Sequence, residues 1–196
     1  MSQISLFGAE TLPTDGLFLA ILPEEVHARP RIAGTAQQLR DQHGLRGKLL
    51  AADRYHISLH SFGEYHGLPP NLVPDVMRVA ATIEVSPFDA VLDRAVSFLG
   101  GKQRPLVLCG GGDLAKFIAF QRAIGVAMQK VKPGRAKQQF TPHLTVLYDQ
   151  HGIEEQPIER IGWTVTEFVL VHSLLGRGQY NILGRWPLRA DGVRLH

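Results

Sequence analysis

Two short segments of this chain repeat one chemical pattern. His56-Ile57-Ser58-Leu59 and His143-Leu144-Thr145-Val146 both run histidine, apolar residue, hydroxyl residue, apolar residue. In a β-strand alternate residues share a face, so each histidine points the same way as its hydroxyl partner, about 6.6 Å further along. Near pH 7 an imidazole can take or give a proton, and a hydroxyl can hydrogen-bond a phosphoryl oxygen. Two such strands side by side would therefore present two imidazoles and two hydroxyls to one phosphate.

The elements that must position these motifs follow from the apolar pattern. Both motifs fall in predicted strands, Tyr55 to Phe62 and Phe140 to Tyr148, where the intervening apolar residues would face the core and fix the site. Further strands are predicted at Leu17 to Leu22, as two or three antiparallel strands within Phe88 to Cys109, and as a hairpin of Trp163 to Leu175 with Gln179 to Leu188 over Gly176-Arg177-Gly178.

Three helices are predicted between the strands. They run from Pro23 to a stop at Gly44 with a kink or break at Pro30, from about Pro70, and from the N-cap Asp113 to Pro133-Gly134. Helical spacing predicts core-facing side chains at Val26, Ile32, Ala36 and Leu39 in the first helix, at Val73, Val76, Ala80 and Ile83 in the second, and at Phe117, Phe120, Ile124, Met128 and Val131 in the third.

Composition is that of an ordinary globular protein. The 196 residues are 44% hydrophobic and 20% charged, which excludes disordered and fibrous classes, and a net charge of +3 is too small to predict a nucleic-acid binder. Cys109 is the single cysteine and lies among apolar residues, so it is predicted to be structural. Residues 1–15 are interpreted as an N-terminal arm and 16–196 as one domain. The run ending at Leu22 is too short for a signal or membrane segment, so a cytoplasmic protein is expected.

With these two motifs the sequence resembles the 2H phosphoesterases, and within them the LigT-like family of 2′-5′ RNA ligases or RNA 2′,3′-cyclic phosphodiesterases. The resemblance covers most of the chain and includes, besides the paired motifs, Leu17 to Leu22 running into Pro23, Pro142, and the series Trp163, Phe168, Leu170, Ser173, Tyr180 and Trp186-Pro187-Leu188. It implies an α+β, bilobal, pseudo-twofold fold in which two antiparallel sheets flank a central cleft with helices on the outside. Each lobe would supply one motif, and neither a metal nor another cofactor would take part.

The function implied by the resemblance is hydrolysis of RNA 2′,3′-cyclic phosphate ends to a 2′-phosphate. By resemblance His56 is the acid and His143 the base, while Ser58 and Thr145 hold the nonbridging oxygens. The first motif has Ser58 where threonine is more usual, and Tyr148 stands near the position where many members carry arginine, which makes it a candidate phosphate contact. The expected partners are RNA ends or small cyclic phosphates, and the expected state is a monomer.

Two alternatives remain open, and a third is disfavoured. The same site could act on another small cyclic phosphate or join RNA through a 2′-5′ linkage, and the Tyr148 departure also fits an RNA- or nucleotide-binding module with little turnover. A metal hydrolase using His56, His60 and His143 is disfavoured, because four strand residues span roughly 13 Å, too far for both first-motif imidazoles to bind one ion. Basic residues that could contact RNA, or could simply be solvated, are Arg177, Arg135 and Lys137.

Overall fold

The computed structural model describes residues 12–99, 101–110, 112–132 and 141–189, and within them the chain forms three α-helices and one eight-stranded antiparallel sheet. In chain order the elements are β1 (Asp15–Ile21), α1 (Ala28–Gln42), a 3-10 turn (Ala52–Arg54), β2 (Ile57–Tyr65), α2 (Leu72–Ala80), β3 (Phe88–Ser97), β4 (Arg104–Cys109), α3 (Leu114–Met128), β5 (His143–Asp149), β6 (Gln156–Val165), β7 (Glu167–Leu174) and β8 (Gln179–Pro187).

The sheet divides into two groups of four strands that meet at the motif strands. Its order is β6-β3-β4-β5-β2-β1-β7-β8. We call β2, β1, β7 and β8 the first lobe and β5, β4, β3 and β6 the second lobe. Ile57 of β2 pairs with Leu144 of β5, and through this pair the described part of the sheet continues from one lobe to the other. The predicted α+β, two-lobed fold is confirmed, with the two expected sheets continuous through that pair and open at the edges β6 and β8.

The helices cover one face of the sheet. α1 lies against β5 and β6, α3 lies against β2 and β3, and α2 packs on α3. Phe120 of α3 contacts Phe88 of the second lobe and Phe168 of the first, with ring centroids 5.8 and 5.5 Å apart. One core therefore runs beneath both lobes, and the opposite face of the sheet carries the polar side chains of the motifs together with a smaller apolar cluster that includes Phe18, Val169 and Val171.

Helix α1 begins later than predicted because a carboxylate organises the preceding turn. Glu24 accepts hydrogen bonds from the backbone N–H groups of residues 26–28 at 2.6, 2.7 and 3.3 Å. Pro30 then falls in the first helical turn, where its missing N–H is tolerated, so it does not break the helix. Val26 precedes the helix and is 69% exposed, so its predicted core position is wrong. The other three predicted core residues of this helix are buried: Ile32, Ala36 and Leu39.

The strand predicted from Trp163 to Leu175 is two strands. β6 ends at Val165 and β7 begins at Glu167, and the two belong to different lobes, since β6 pairs with β3 while β7 pairs with β1. Two residues of extended chain span at most about 7 Å. The end of β6 and the start of β7 are therefore close together, which requires the sheet to curl. The β7–β8 hairpin turns at residues 176–178 as predicted.

Other predicted boundaries shift by small amounts. Residues 1–11 of the predicted arm lie outside the described part of the chain, and Asp15 opens β1. Asp113 occupies the N-cap position of α3, but its carboxylate accepts from Lys116 Nζ at 3.0 Å instead of capping the helix. Two predicted core residues of α2 and four of α3 are buried: Val76, Ala80, Phe117, Phe120, Ile124 and Met128.

Candidate active site

The polar residues of the two motifs lie on the face of the sheet opposite the core. Their apolar neighbours are each at most 3% exposed and belong to the main core: Ile57, Leu59, Leu144 and Val146. Strand alternation turns the remaining four residues to the other face, where all are half-buried: His56, Ser58, His143 and Thr145. The structure thus brings together the four residues that the sequence singled out.

The register of β2 and β5 arranges these four side chains as the corners of a rectangle. Because Ile57 pairs with Leu144 in antiparallel fashion, His56 lies beside Thr145 and Ser58 lies beside His143. The two imidazoles therefore stand on one diagonal and the two hydroxyls on the other. Diagonal neighbours on adjacent strands are about 7–8 Å apart. That span leaves room for one phosphoryl group at the centre.

Both histidines are held by the same local hydrogen bond. His56 Nδ1 lies 2.8 Å from the carbonyl oxygen of Arg54, and His143 Nδ1 lies 2.8 Å from the carbonyl oxygen of Thr141. A carbonyl oxygen only accepts, so each Nδ1 carries the proton and donates it. Each Nε2 is consequently the nitrogen left for chemistry: a lone pair when the ring is neutral and a donor when it is charged.

His56 sits among aromatic side chains of the first lobe. Its ring centroid is 4.8 Å from that of Phe18 and 5.5 Å from that of Tyr180. Burial lowers the pKa of His56, and the positive charges of Arg54 and His143 lower it further, against the raising effect of the hydrogen bond to the Arg54 carbonyl. His56 is therefore a weakly basic imidazole in the free protein.

His143 has different neighbours in the second lobe. Its ring centroid lies 4.9 Å from that of Phe98, and Cys109 is its direct partner on β4. Paired residues on neighbouring strands share a face, so the thiol lies beside the imidazole. Burial raises the pKa of the Cys109 thiol, which keeps the sulfur protonated near neutral pH.

A bulge determines where Tyr148 lies. The β4–β5 register shifts between Leu147 and Thr145, and both Val146 and Leu147 face the core. Tyr148 then returns to the face that carries Thr145 and is 46% exposed. Strict alternation from His143 would have turned Tyr148 toward the core. The bulge keeps it accessible on the side of the candidate site.

Comparison with known proteins identifies the family. The model of the 2′-5′ RNA ligase superfamily matches residues 28–177. The chain belongs to this superfamily. Escherichia coli LigT complexed with 3′-AMP is 25% identical, with a TM-score of 0.72 over 91% of this chain and 100% of that one. A protein of Thermus thermophilus is 22% identical, with a TM-score of 0.71 over 90% of this chain and 99% of that one, and this likeness concerns the fold. No curated protein matches the chain.

The candidate RNA contacts of this superfamily member lie in different places. Arg177 is exposed at the tip of the β7–β8 hairpin, three residues before Tyr180, which contacts His56. Arg135 and Lys137 fall outside the described residues. Lys132 has a structural role, because its ammonium donates to Tyr65 Oη at 2.8 Å and to the Phe62 carbonyl.

Neither a metal cluster nor a membrane-spanning helix is found in the described ranges. No group of three or more histidine, cysteine, aspartate or glutamate side chains there is placed to hold a metal ion. His60 instead packs its ring against Phe62, with centroids 4.9 Å apart. Among the helices described, none is long and apolar enough to cross a bilayer.

We expect Cys109→Ser to retain turnover within about threefold of the unaltered protein. The Cys109 thiol is protonated near pH 7, and the serine hydroxyl that replaces it is uncharged and similar in size. The packing and charge around the neighbouring His143 should therefore stay the same. Steady-state rates on a cyclic phosphate substrate measure this, with the melting temperature as a control for folding. Loss of activity in a folded variant would instead mark Cys109 as part of the chemistry.

Two features of the site lie outside the reach of sequence patterns. The backbone carbonyls of Arg54 and Thr141 orient the histidines, and a backbone acceptor leaves no signature in residue type. Phe18 and Tyr180 surround His56 from β1 and β8, far apart in sequence. Tyr180 is part of the resemblance to the family described above, and this resemblance is the one sequence signal for the aromatic surroundings of His56.

Proposed function

We propose that this protein hydrolyses RNA 2′,3′-cyclic phosphate ends to a 2′-phosphate by paired histidine acid-base catalysis without a metal ion. The proposal rests on its superfamily and on one observation: His56 and His143 stand diagonally across β2 and β5, each with Nδ1 tied to a backbone carbonyl. The Nδ1 contacts leave both Nε2 atoms free for chemistry, and we propose that both face one phosphate at the β2–β5 junction.

The diagonal arrangement suits an in-line displacement at phosphorus. In the proposed step His143 Nε2 takes a proton from water as the water oxygen bonds to phosphorus. The bond from phosphorus to O3′ breaks on the opposite side, and His56 Nε2 donates its proton to O3′. The phosphate stays on O2′, and the net change is the addition of one water. General acid and base groups each contribute roughly 10²- to 10⁴-fold.

The two hydroxyl residues of the motifs supply electrostatic stabilisation of the transition state. Ser58 and Thr145 flank the same central position, where they can donate to the nonbridging oxygens. Charge builds on those oxygens in the pentavalent transition state, so donors already aimed at them lower the barrier. Tyr148, on the same face, is a further candidate contact to the phosphate or to the adjoining ribose.

Ligands of a solved relative support this class of substrate. Escherichia coli LigT, at 25% identity, has been crystallised with 3′-AMP and with NADP⁺. Both ligands contain ribose bearing phosphate. By analogy, we propose that RNA ends or small cyclic phosphates bind here at the histidine pair.

A turnover assay tests the proposal. The substrate is a short RNA ending in a 2′,3′-cyclic phosphate, incubated in EDTA, with 2′- and 3′-phosphate products resolved by chromatography. We expect the 2′-phosphate alone. A 3′-phosphate would contradict the proposed leaving group, sensitivity to EDTA would favour a metal hydrolase, and tight binding without turnover would favour a binding module.

The same assay examines strand joining. If the 5′-hydroxyl of a second RNA replaces water as the nucleophile, the same bond to O3′ breaks and a 2′-5′ linkage forms. Adding excess RNA with a free 5′-hydroxyl, and then digesting with a nuclease specific for 3′-5′ linkages, separates joined from hydrolysed product. The superfamily name makes this the second activity to measure.

The pH dependence of kcat/KM should be bell-shaped, and one limb should lie below pH 6.5. Burial holds the pKa of His56 below its ordinary value of 6.5 in the free protein, and kcat/KM reports the free enzyme. As the acid, His56 must be protonated, so the fraction of enzyme that carries this proton falls as pH rises through the pKa of His56. In the kcat profile the limb should move to higher pH, because a bound phosphate anion stabilises the imidazolium.

Single variants assign the two limbs. His56→Ala should erase the alkaline limb and His143→Ala the acidic one, although in the unaltered protein both limbs report the coupled pair. The opposite pattern would exchange the acid and base roles and keep the mechanism. A flat profile, measured where chemistry limits the rate, would reject paired acid-base catalysis.

A further inference from the structure

Arg54 brings a positive charge to the edge of the candidate site. Its guanidinium carbon lies 4.9 Å from the Tyr180 ring centroid, and Nη2 is 3.4 Å from Tyr180 Oη. A Cβ built on Gly178 would lie 3.6 Å from Nη1, so the hairpin backbone also approaches the guanidinium. Arg54, which lies shortly before β2, is thus held against the β7–β8 hairpin. Its guanidinium contacts Tyr180, and Tyr180 in turn contacts His56.

The hydrogen-bonding capacity of this arginine is only partly used. Its Nε is buried and has no partner among the described residues. In the same part of the chain, no carboxylate lies within ion-pair distance of the guanidinium, whereas Arg31, Arg78 and Arg185 each have one. A half-buried guanidinium without a counter-ion is a ready site for an anion, because its planar fork matches phosphate oxygens.

We propose that Arg54 binds the phosphate on the 5′ side of the terminal nucleotide and so favours RNA chains over nucleoside 2′,3′-cyclic phosphates. This inference rests on the proposed function. The cyclic phosphate itself already meets two imidazoles and two hydroxyls at the β2–β5 junction. The guanidinium is held against Tyr180 and the β7–β8 hairpin, so it suits a second phosphate on the substrate.

Arg54→Gln removes the guanidinium selectively. The Arg54 carbonyl that accepts from His56 Nδ1 belongs to the backbone and is kept in the variant. Arg78→Gln is the matched control, since it removes the same charge from the exposed surface of α2. Melting temperatures of both variants report folding.

The substrates are adenosine 2′,3′-cyclic phosphate with and without a 5′-phosphate, which differ only in the group assigned to Arg54. In the unaltered protein and in Arg78→Gln, the 5′-phosphate should raise kcat/KM. In Arg54→Gln this advantage should fall about 10- to 100-fold, the range expected for hydrogen bonds to charged groups. The readout is this ratio of the two rates, because removing the Arg54 charge also acts on the pKa of His56 and so on the rate with either substrate.

Two kinetic results would overturn the inference. Equal fold-losses on both substrates would place Arg54 at the cyclic phosphate or behind His56, and unchanged rates on both substrates would remove it from binding. If the unaltered protein turns over neither substrate, the proposed function fails separately. Calorimetric titration with adenosine 2′-phosphate and adenosine 2′,5′-bisphosphate then still tests Arg54: a preference for the bisphosphate that is lost in Arg54→Gln supports the inference, and its persistence overturns it.

Discussion

Replacing His143 with alanine is expected to lower kcat/KM by roughly 10²- to 10⁴-fold with little change in melting temperature. The imidazole is half-buried on the face opposite the core, and the neighbouring core residue Leu144 is untouched. His56→Ala should lose turnover to a similar extent. It should also lower the melting temperature somewhat, because its ring contacts Phe18 and Tyr180.

His66→Ala is the control for these variants, since His66 is exposed beyond the end of β2. It should behave like the unaltered protein. Activity that survives in His143→Ala would remove this histidine from the proton transfers. Unfolding of His143→Ala would instead assign it a structural role.

The hydroxyl variants should give the second large effect. Thr145→Val and Ser58→Ala are each expected to lower kcat by about 10²- to 10³-fold, the usual cost of losing one donor to transition-state charge. KM should change much less, because the hydrogen bond strengthens as charge builds. Thr145→Ser and Ser58→Thr keep a hydroxyl at the same corner and should retain most of the rate.

Ser61→Ala tests whether any hydroxyl on this strand matters. Ser61 also lies on β2 but is exposed beyond the motif, so its removal should have no effect on kcat. If KM rises in Thr145→Val while kcat stays constant, the hydroxyl binds ground state and transition state equally. The electrostatic role proposed for it would then be rejected.

The spacing of apolar residues along the sequence predicted those features of the fold that depend on residues close together in the chain. Alternation in the motifs places Ile57 and Leu144 in the core, and helical spacing places Phe117 and Met128 there, because both periods are properties of the backbone. The prediction for Val26 was wrong because Glu24 organises a turn that delays the helix, and spacing alone does not detect a side-chain-to-backbone bond.

The remaining features arise from contacts between distant parts of the chain. The bulge beside Val146 belongs to the pairing of β4 with β5, and it reverses the face of Tyr148. The guanidinium of Arg54 against Tyr180 joins residues 126 positions apart. Such contacts depend on the curl of the sheet, which no single segment encodes.

The short connection at Thr166 has a consequence for the order in which the molecule is assembled during synthesis. The second lobe is contiguous in the chain, so its strands can all pair once Val165 has emerged from the ribosome. The first lobe begins with β1 and β2 but needs β7 and β8, which are made last. The aromatic surroundings of His56 are therefore complete only after Tyr180 has been synthesised, although His56 is made before His143.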